Sequence, residues 1–271
     1  MDHARYLPSK ERLSVLLSTI LLAYVLGQFI NTPGRMLPIQ LIGVFIPIQI
    51  NLNTVVSIAV AGMTATGMDW LLRDHPSFEH KTTLPYWILP ALTAWIIHVS
   101  LTILPVSPIW WLAFFFGGLF LLLVLIAEYI VVDEKDVRHP IATAGLTALA
   151  YSLFLILAVS LRSTGMRLLM ILPSLSIAGG LVCLRVLQLR LPEKGWSIMH
   201  SLVGLILVAQ FCAALHYLPF SSISFGLVLL SLLYTLITFI FNLAENKSLR
   251  QAMIEPLIVL CIMWIIALII T

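Results

Sequence analysis

Nine apolar stretches follow one another along the chain, at 13–30, 54–72, 84–104, 109–131, 141–161, 166–187, 196–216, 220–242 and 252–271. A hydrocarbon layer about 30 Å thick is crossed by about 20 residues of helix, so each stretch predicts one transmembrane span. The expected architecture is an all-α polytopic membrane protein, a single transmembrane domain over residues 1–271. Between the first two spans the pattern changes. Thr32-Pro33-Gly34 marks a turn, and Leu37–Leu41 and Pro47–Asn53 then alternate apolar and polar with period two. That alternation predicts short extended segments, a hairpin in the interface, with a re-entrant half-helix as the alternative. A bare strand has no place in hydrocarbon, so the segment has to pack on protein or among headgroups.

Composition agrees with the pattern. Hydrophobic residues make up 61% of the chain and charged ones 10%, far below the roughly 25% of soluble domains, and mean hydropathy is +1.06. The net charge of +3 does not announce a nucleic-acid partner, because the basic residues stand at span ends. Arg5, Lys10, Arg12, Arg73, Lys81, Lys135, Arg138, Arg185, Arg190, Lys194, Lys247 and Arg250 fall on one side, and Arg35, Arg162 and Arg167 on the other. The asymmetry places the first side in the cytoplasm, with the N-terminus inside and the C-terminus outside a bacterial inner membrane. The first span lacks a secretory cleavage pattern and is expected to stay, and the chain ends with its last span. Cys183, Cys212 and Cys261 lie inside apolar runs without metal-site spacing and are expected to be packed thiols.

Candidate chemistry gathers where the second span ends, in Gly67-Met68-Asp69-Trp70-Leu71-Leu72-Arg73-Asp74-His75-Pro76 and onward through Glu79, His80 and Lys81. Asp69 and Arg73 are four apart on one helical face and predict an ion pair; Pro76 ends the helix near His75. The charges support a cytoplasmic site in which Asp69, Asp74 and His75 are catalytic and Arg73, His80 and His139 contact an anion. Mg²⁺ is the candidate cofactor, an oxygen-loving ion on Asp74, Glu128, Asp133 and Asp136. The alternative is that loops are where a membrane protein keeps its charges. The His75–Glu79–His80 order is broken by Pro76 and does not form a zinc-binding helix face.

Within the spans, His98 and Gln210 stand at comparable depth, and His98 is expected to bond Gln210 or a hydroxyl such as that of Tyr151. Glu128, Arg185 and Glu255 lie close enough to span ends to snorkel. Glu255-Pro256 reads as a helix-start signal. Tyr86-Trp87 and Trp110-Trp111 are expected at headgroup level. Gly62, Thr66 and Gly67, Gly117-Gly118, and Ser174 through Gly180 are expected at helix contacts. The absence of mid-membrane Asp, Glu, Lys or Arg argues against ion-coupled transport.

The Gly67–Pro76 block, with Pro47–Thr54 before it, resembles a bacterial multi-pass family of unknown function. In span count, inside N-terminus and charged loop after span two, the chain is also similar to the UbiA-type membrane prenyltransferases. That family carries aspartate-rich motifs after spans two and six. Here Asp69 and Asp74 occupy the first place at a different spacing, and 187–195 contains Glu193 but no aspartate, so the second resemblance informs architecture alone. The functional expectation is a lipid- or isoprenoid-acting membrane enzyme, its partners the bilayer and a lipid or isoprenoid ligand, with no nucleic acid. The alternative is a non-enzymatic subunit or scaffold whose cytoplasmic loops bind a protein, and transport ranks third.

Overall fold

An apolar run in lipid satisfies its backbone N–H and C=O groups within itself by forming an α-helix. The computed structural model describes residues 7–30, 35–41, 44–50, 52–75, 83–191 and 198–270, with 35–41 and 44–50 described through their backbone. Among the described residues, 9 helices are long and apolar enough to cross a membrane. They are α1 (Lys10–Phe29), α2 (Leu52–Leu72), α3 (Leu84–Ile103), α4 (Pro108–Val131), α5 (His139–Ser163), α6 (Leu168–Arg190), α7 (Ile198–His216), α8 (Ser222–Ala244) and α9 (Leu249–Ile270). All nine fall on the apolar stretches.

Between α1 and α2 the chain forms an antiparallel hairpin of β1 (Arg35–Leu41) and β2 (Val44–Ile50), with Arg35 opposite Ile50 and Pro38 opposite Pro47. Both strands of a two-stranded sheet are edges, which is where proline costs no ladder bond. Of the two readings of the alternating segment, the extended one is found.

The described residues divide into two compact units, one within Arg5–Val132 and one within Asp133–Thr271. In the first, α1 packs on α2, α3 and α4 around Ile20, Tyr24, Met68, Leu72, Leu121 and Leu125. The Tyr24 hydroxyl donates to the Ala94 carbonyl at 2.9 Å. Trp110 faces into the unit. It is fully buried, and its indole N–H donates to the Leu101 carbonyl at 3.2 Å; its neighbour Trp111 is half exposed. The α3–α4 connection is so short that the first turn of α4 lies against the last turn of α3, which turns one tryptophan inward. A Cβ on Gly67 would meet Leu16, and one on Gly118 would meet Leu21 at 3.0 Å, so these are close helix contacts. Gly62 is not; nothing lies within 4 Å of its Cβ position.

In the second unit α5 packs on α6 and α8, α6 on α7, and α8 on α9. Gly165 (φ 64°) closes α5. Asn246 (φ 61°) closes α8 with bonds from Asn246 N–H to Leu243 O (3.0 Å) and Lys247 N–H to Asn242 O (3.2 Å), the paired C-terminal arrangement a left-handed residue permits. Arg162 ties the α7–α8 turn by donating to the carbonyls of His216 (2.9 Å) and Leu218 (3.2 Å). Pro256 is inside α9 rather than in its first turn, because the helix begins at Leu249; the Thr235 hydroxyl donates to the Pro256 carbonyl at 3.3 Å. Arg185 and Glu128 do not snorkel. They are 3% and 0% exposed, and both are engaged by partners, as burial of a charge requires. Cys183 and Cys212 are buried thiols, and Cys261 is exposed.

Candidate functional site

At the end of α2 the backbone bonds Arg73 N–H to Asp69 O and His75 N–H to Leu72 O close the helix. The predicted pair forms: Arg73 Nε and Nη2 lie 2.9 and 2.8 Å from Asp69 Oδ2. Asp74 is taken by Arg12 of α1, whose Nη1 stands 2.7 Å from Asp74 Oδ2 and 2.9 Å from the Trp70 carbonyl. The same guanidinium lies 4.8 Å above the Trp70 ring, a stacking that suits a delocalised cation. His75 is buried, with its ring 4.6 Å from that of Tyr129. Among the described residues, each carboxylate of the cluster therefore has an arginine partner, and the arrangement joins α1 to α2 as a latch. Its Asp69–Arg73 half contributes little, because the Arg73 side chain is 75% exposed. His80 lies outside the described residues, as do Pro76, Glu79 and Lys81.

The carboxylates of the following turn belong to the second unit. Asp136 accepts from the Arg138 backbone N–H (2.8 Å), Nε (3.1 Å) and Nη2 (2.7 Å). That bonding raises the Arg138 pKa above its ordinary value. Asp133 accepts from Lys135 N–H at 3.0 Å. These are turn-closing contacts. Among the described residues, no group of three or more His, Cys, Asp and Glu side chains is placed to hold a metal ion.

His98 is bonded to neither Gln210 nor Tyr151. Its Nδ1 lies 2.7 Å from the hydroxyl of Ser57, which is also 2.7 Å from the Asn53 carbonyl. A carbonyl only accepts, so the single Ser57 proton goes to Asn53 O and the imidazole donates from Nδ1. Nε2 is then a bare lone pair. It is buried without a hydrogen-bond partner and lies 2.9 Å from the Cβ position of Gly27. The ring is sealed by packing, and α1, α2 and α3 each supply part of the seal. Gln210 is exposed on α7.

The opening that the sequence did not announce is in the second unit. A groove of about 550 Å³ runs along α5, lined by His139, Pro140, Thr143, Ala144, Thr147, Ala148 and Tyr151, with Arg190 and Tyr234 across from them. Residues four apart share a helix face, so 139, 143, 147 and 151 form one row and 140, 144 and 148 the next. Small side chains on both rows leave the room. His139 begins α5 and Arg190 ends α6, which sets both at the helix-end rim. The hydroxyl oxygens of Tyr151 and Thr143 are buried with no hydrogen-bond partner, and the rings of Tyr151 and Tyr234 are 5.6 Å apart. Arg190 lies 5.4 Å over the Phe241 ring. Among the described residues, no carboxylate pairs with it. Of the residues expected to contact an anion, His139 is the one at this groove. The signal available in sequence was the row of small and hydroxyl residues spaced by four after His139, together with Arg190 at the end of the next helix.

The sequence profile of a family described as "Protein of unknown function (DUF5656)" matches residues 32–270. No curated protein and no solved structure matches the chain.

Proposed function

The chain belongs to the DUF5656 family, whose function is unknown, and on that premise we propose that it is an integral membrane protein that binds an anionic lipid or isoprenoid in the α5–α6–α8 groove. One observation carries the reading. Arg190, unpaired with any carboxylate among the described residues, stands at the rim of a groove whose other walls are small, aromatic or hydroxyl-bearing. An arginine is suited to a phosphate because its fork matches two oxygens at once, and the groove beneath it suits an apolar tail. The distribution of Lys and Arg favours the cytoplasmic side of a bacterial inner membrane for this rim. His139, beside the same rim, is the group available to exchange a proton with a bound headgroup.

The latch at the end of α2 supports a second reading. Its charges are mutually satisfied, yet Arg73 and Asp74 are exposed, which suits a surface that meets a protein partner. To separate the two, the protein is extracted together with its surrounding lipid and its lipid content compared with that of Arg190→Gln and of Arg73→Ala. Loss of anionic lipid in the first variant alone supports the groove. Unchanged lipid in both, with a protein lost from Arg73→Ala, supports the subunit.

A further inference from the structure

We infer that Arg162 and His216 form a proton-sensitive clasp on the α7–α8 turn, closed while the imidazole is neutral and opened when it takes up a proton. The clasp stands at the opposite end of α5 from His139 and does not depend on what the groove binds.

Protons dictate the arrangement. A guanidinium has five N–H donors and no acceptor. Arg162 Nη1 lies 2.9 Å from the carbonyl oxygen of His216 and 3.2 Å from its Nδ1, and Nη2 donates to the carbonyl of Leu218 at 3.2 Å. Nδ1 is therefore the acceptor, so the imidazole is neutral and carries its proton on Nε2. A second proton has only Nδ1 to go to. It would turn the acceptor into a donor aimed at another donor and set two cations 3.2 Å apart, so an attractive contact becomes a repulsive one.

The surroundings do nothing to offset that charge. From α5 the group facing His216 is Arg162, and Arg167 in the α5–α6 connection adds a further positive charge at the same end of the helices. Tyr217 crosses the His216 ring at 5.3 Å and 90°. One turn back on α7, Cys212 is a buried thiol, and from α8 the Phe225 ring lies 5.2 Å from the Arg162 guanidinium. The sequences of α5, α6, α7 and α8 contain no Asp or Glu, and neither do the connections 164–167 and 217–221. His216 is half-buried, so water reaches the ring and can deliver the proton.

The clasp holds a turn with few bonds of its own, Leu218 N–H to Leu215 O (3.1 Å) and Phe220 N–H to Leu218 O (2.8 Å). His216 O is one of the carbonyls left without a helical partner at the end of α7, and Arg162 supplies the missing donor. An imidazole is ordinarily neutral above about pH 6.5, where the clasp is closed. As pH falls below that range the ring and the guanidinium are driven apart, and the bonds to His216 O and Leu218 O weaken with them.

Hydrogen exchange of the full chain in detergent tests this, read by mass spectrometry at about pH 7.5 and about pH 5 and corrected for the intrinsic effect of pH on exchange. The α3–α4 connection, 104–107, has no titratable side chain and serves as the internal reference. Relative to it, the amides of 215–220 are expected to exchange about threefold or more faster at the lower pH. In His216→Gln the amide oxygen can still accept from Arg162 and does not titrate, so the turn should be equally protected at both values. His216→Arg places a permanent cation against Arg162 and should leave the turn unprotected at both. Equal protection at the two pH values in the unmodified chain overturns the inference. So does an acid loosening that persists in His216→Gln, since another group would then be the sensor. Should His216→Arg fail to fold, the unmodified chain and His216→Gln decide the matter between them.

Discussion

The polar centre of α1–α3 and the groove of α5, α6 and α8 both place hydroxyl and ring groups inside a membrane-spanning bundle, but they treat those groups in opposite ways. Around His98 each proton has a destination: Ser57 to Asn53 O, Nδ1 to Ser57. The remaining lone pair is pressed against Gly27 with no room for water. Around Tyr151 two hydroxyl oxygens are likewise buried and unbonded, but the residues that carry them line a groove of about 550 Å³. Closed bonding and tight packing mark a structural polar core. The groove beside α5 is where the proposed lipid would lie. A histidine deep in a span is the feature that catches the eye, yet it is the threonines and tyrosine of α5 that line a groove.

Gly27→Ala strikes the closed centre hardest. The added methyl would stand 2.9 Å from His98 Nε2 and 3.2 Å from Val56 Cγ1, and neither the bonded ring nor the β-branched valine yields easily. A loss of about 1–3 kcal/mol is expected, read as a lowered midpoint of thermal unfolding in detergent. A variant as stable as the parent would mean that the ring is not packed against α1, and the comparison would lose its sealed member.

Ser57→Ala comes next. It removes the acceptor of the imidazole N–H and leaves a donor buried at a site 1% exposed, which costs about 1–2 kcal/mol. Ser57→Thr keeps the oxygen and should recover most of that loss, which separates the hydrogen bond from mere packing volume.

What could be read in advance follows from how local each cause is. The spans were legible because twenty-odd apolar residues in a row leave the backbone no alternative to a helix. Asp69–Arg73 was legible because i and i+4 meet on any helix. The alternating segment declared its extended backbone through period two. His98 finding Ser57 was not legible. The partners are separated by 41 positions and meet only through the packing of α2 on α3. The burial of Trp110 was not legible because a tryptophan at a helix start serves an interface or a buried bond equally well, and only the tight α3–α4 connection decides. Arg12 pairing with Asp74 was missed for the same reason as His98. The groove was hardest, being made of what Thr143, Ala144, Thr147 and Ala148 leave unfilled.

Tyr151→Phe reverses the sign. The hydroxyl it removes has no partner, so the ligand-free protein should be unchanged or gain up to about 1 kcal/mol, measured in lipid-free detergent. A destabilised ligand-free variant would show that the hydroxyl is satisfied within the protein, and the two regions would then be alike.

Arg73→Ala tests whether burial, rather than pairing, is what separates the regions. Its bonds to Asp69, at 2.9 and 2.8 Å, are nearly as short as the 2.7 Å contact between His98 and Ser57, so a ranking by distance would give the two similar weight. Water decides otherwise. The Arg73 side chain is 75% exposed, the charges are screened, and the freed Asp69 carboxylate is rehydrated once the guanidinium is gone, so a change within about 0.5 kcal/mol is expected. Arg12→Ala, which removes the Asp74 pair, the Trp70 carbonyl bond and the ring stacking together, should lower the unfolding midpoint more than Arg73→Ala does. If Arg73→Ala proved as damaging as Ser57→Ala, the free energy would follow bond geometry. The contrast between a sealed centre and an exposed ion pair would then rest on distances alone.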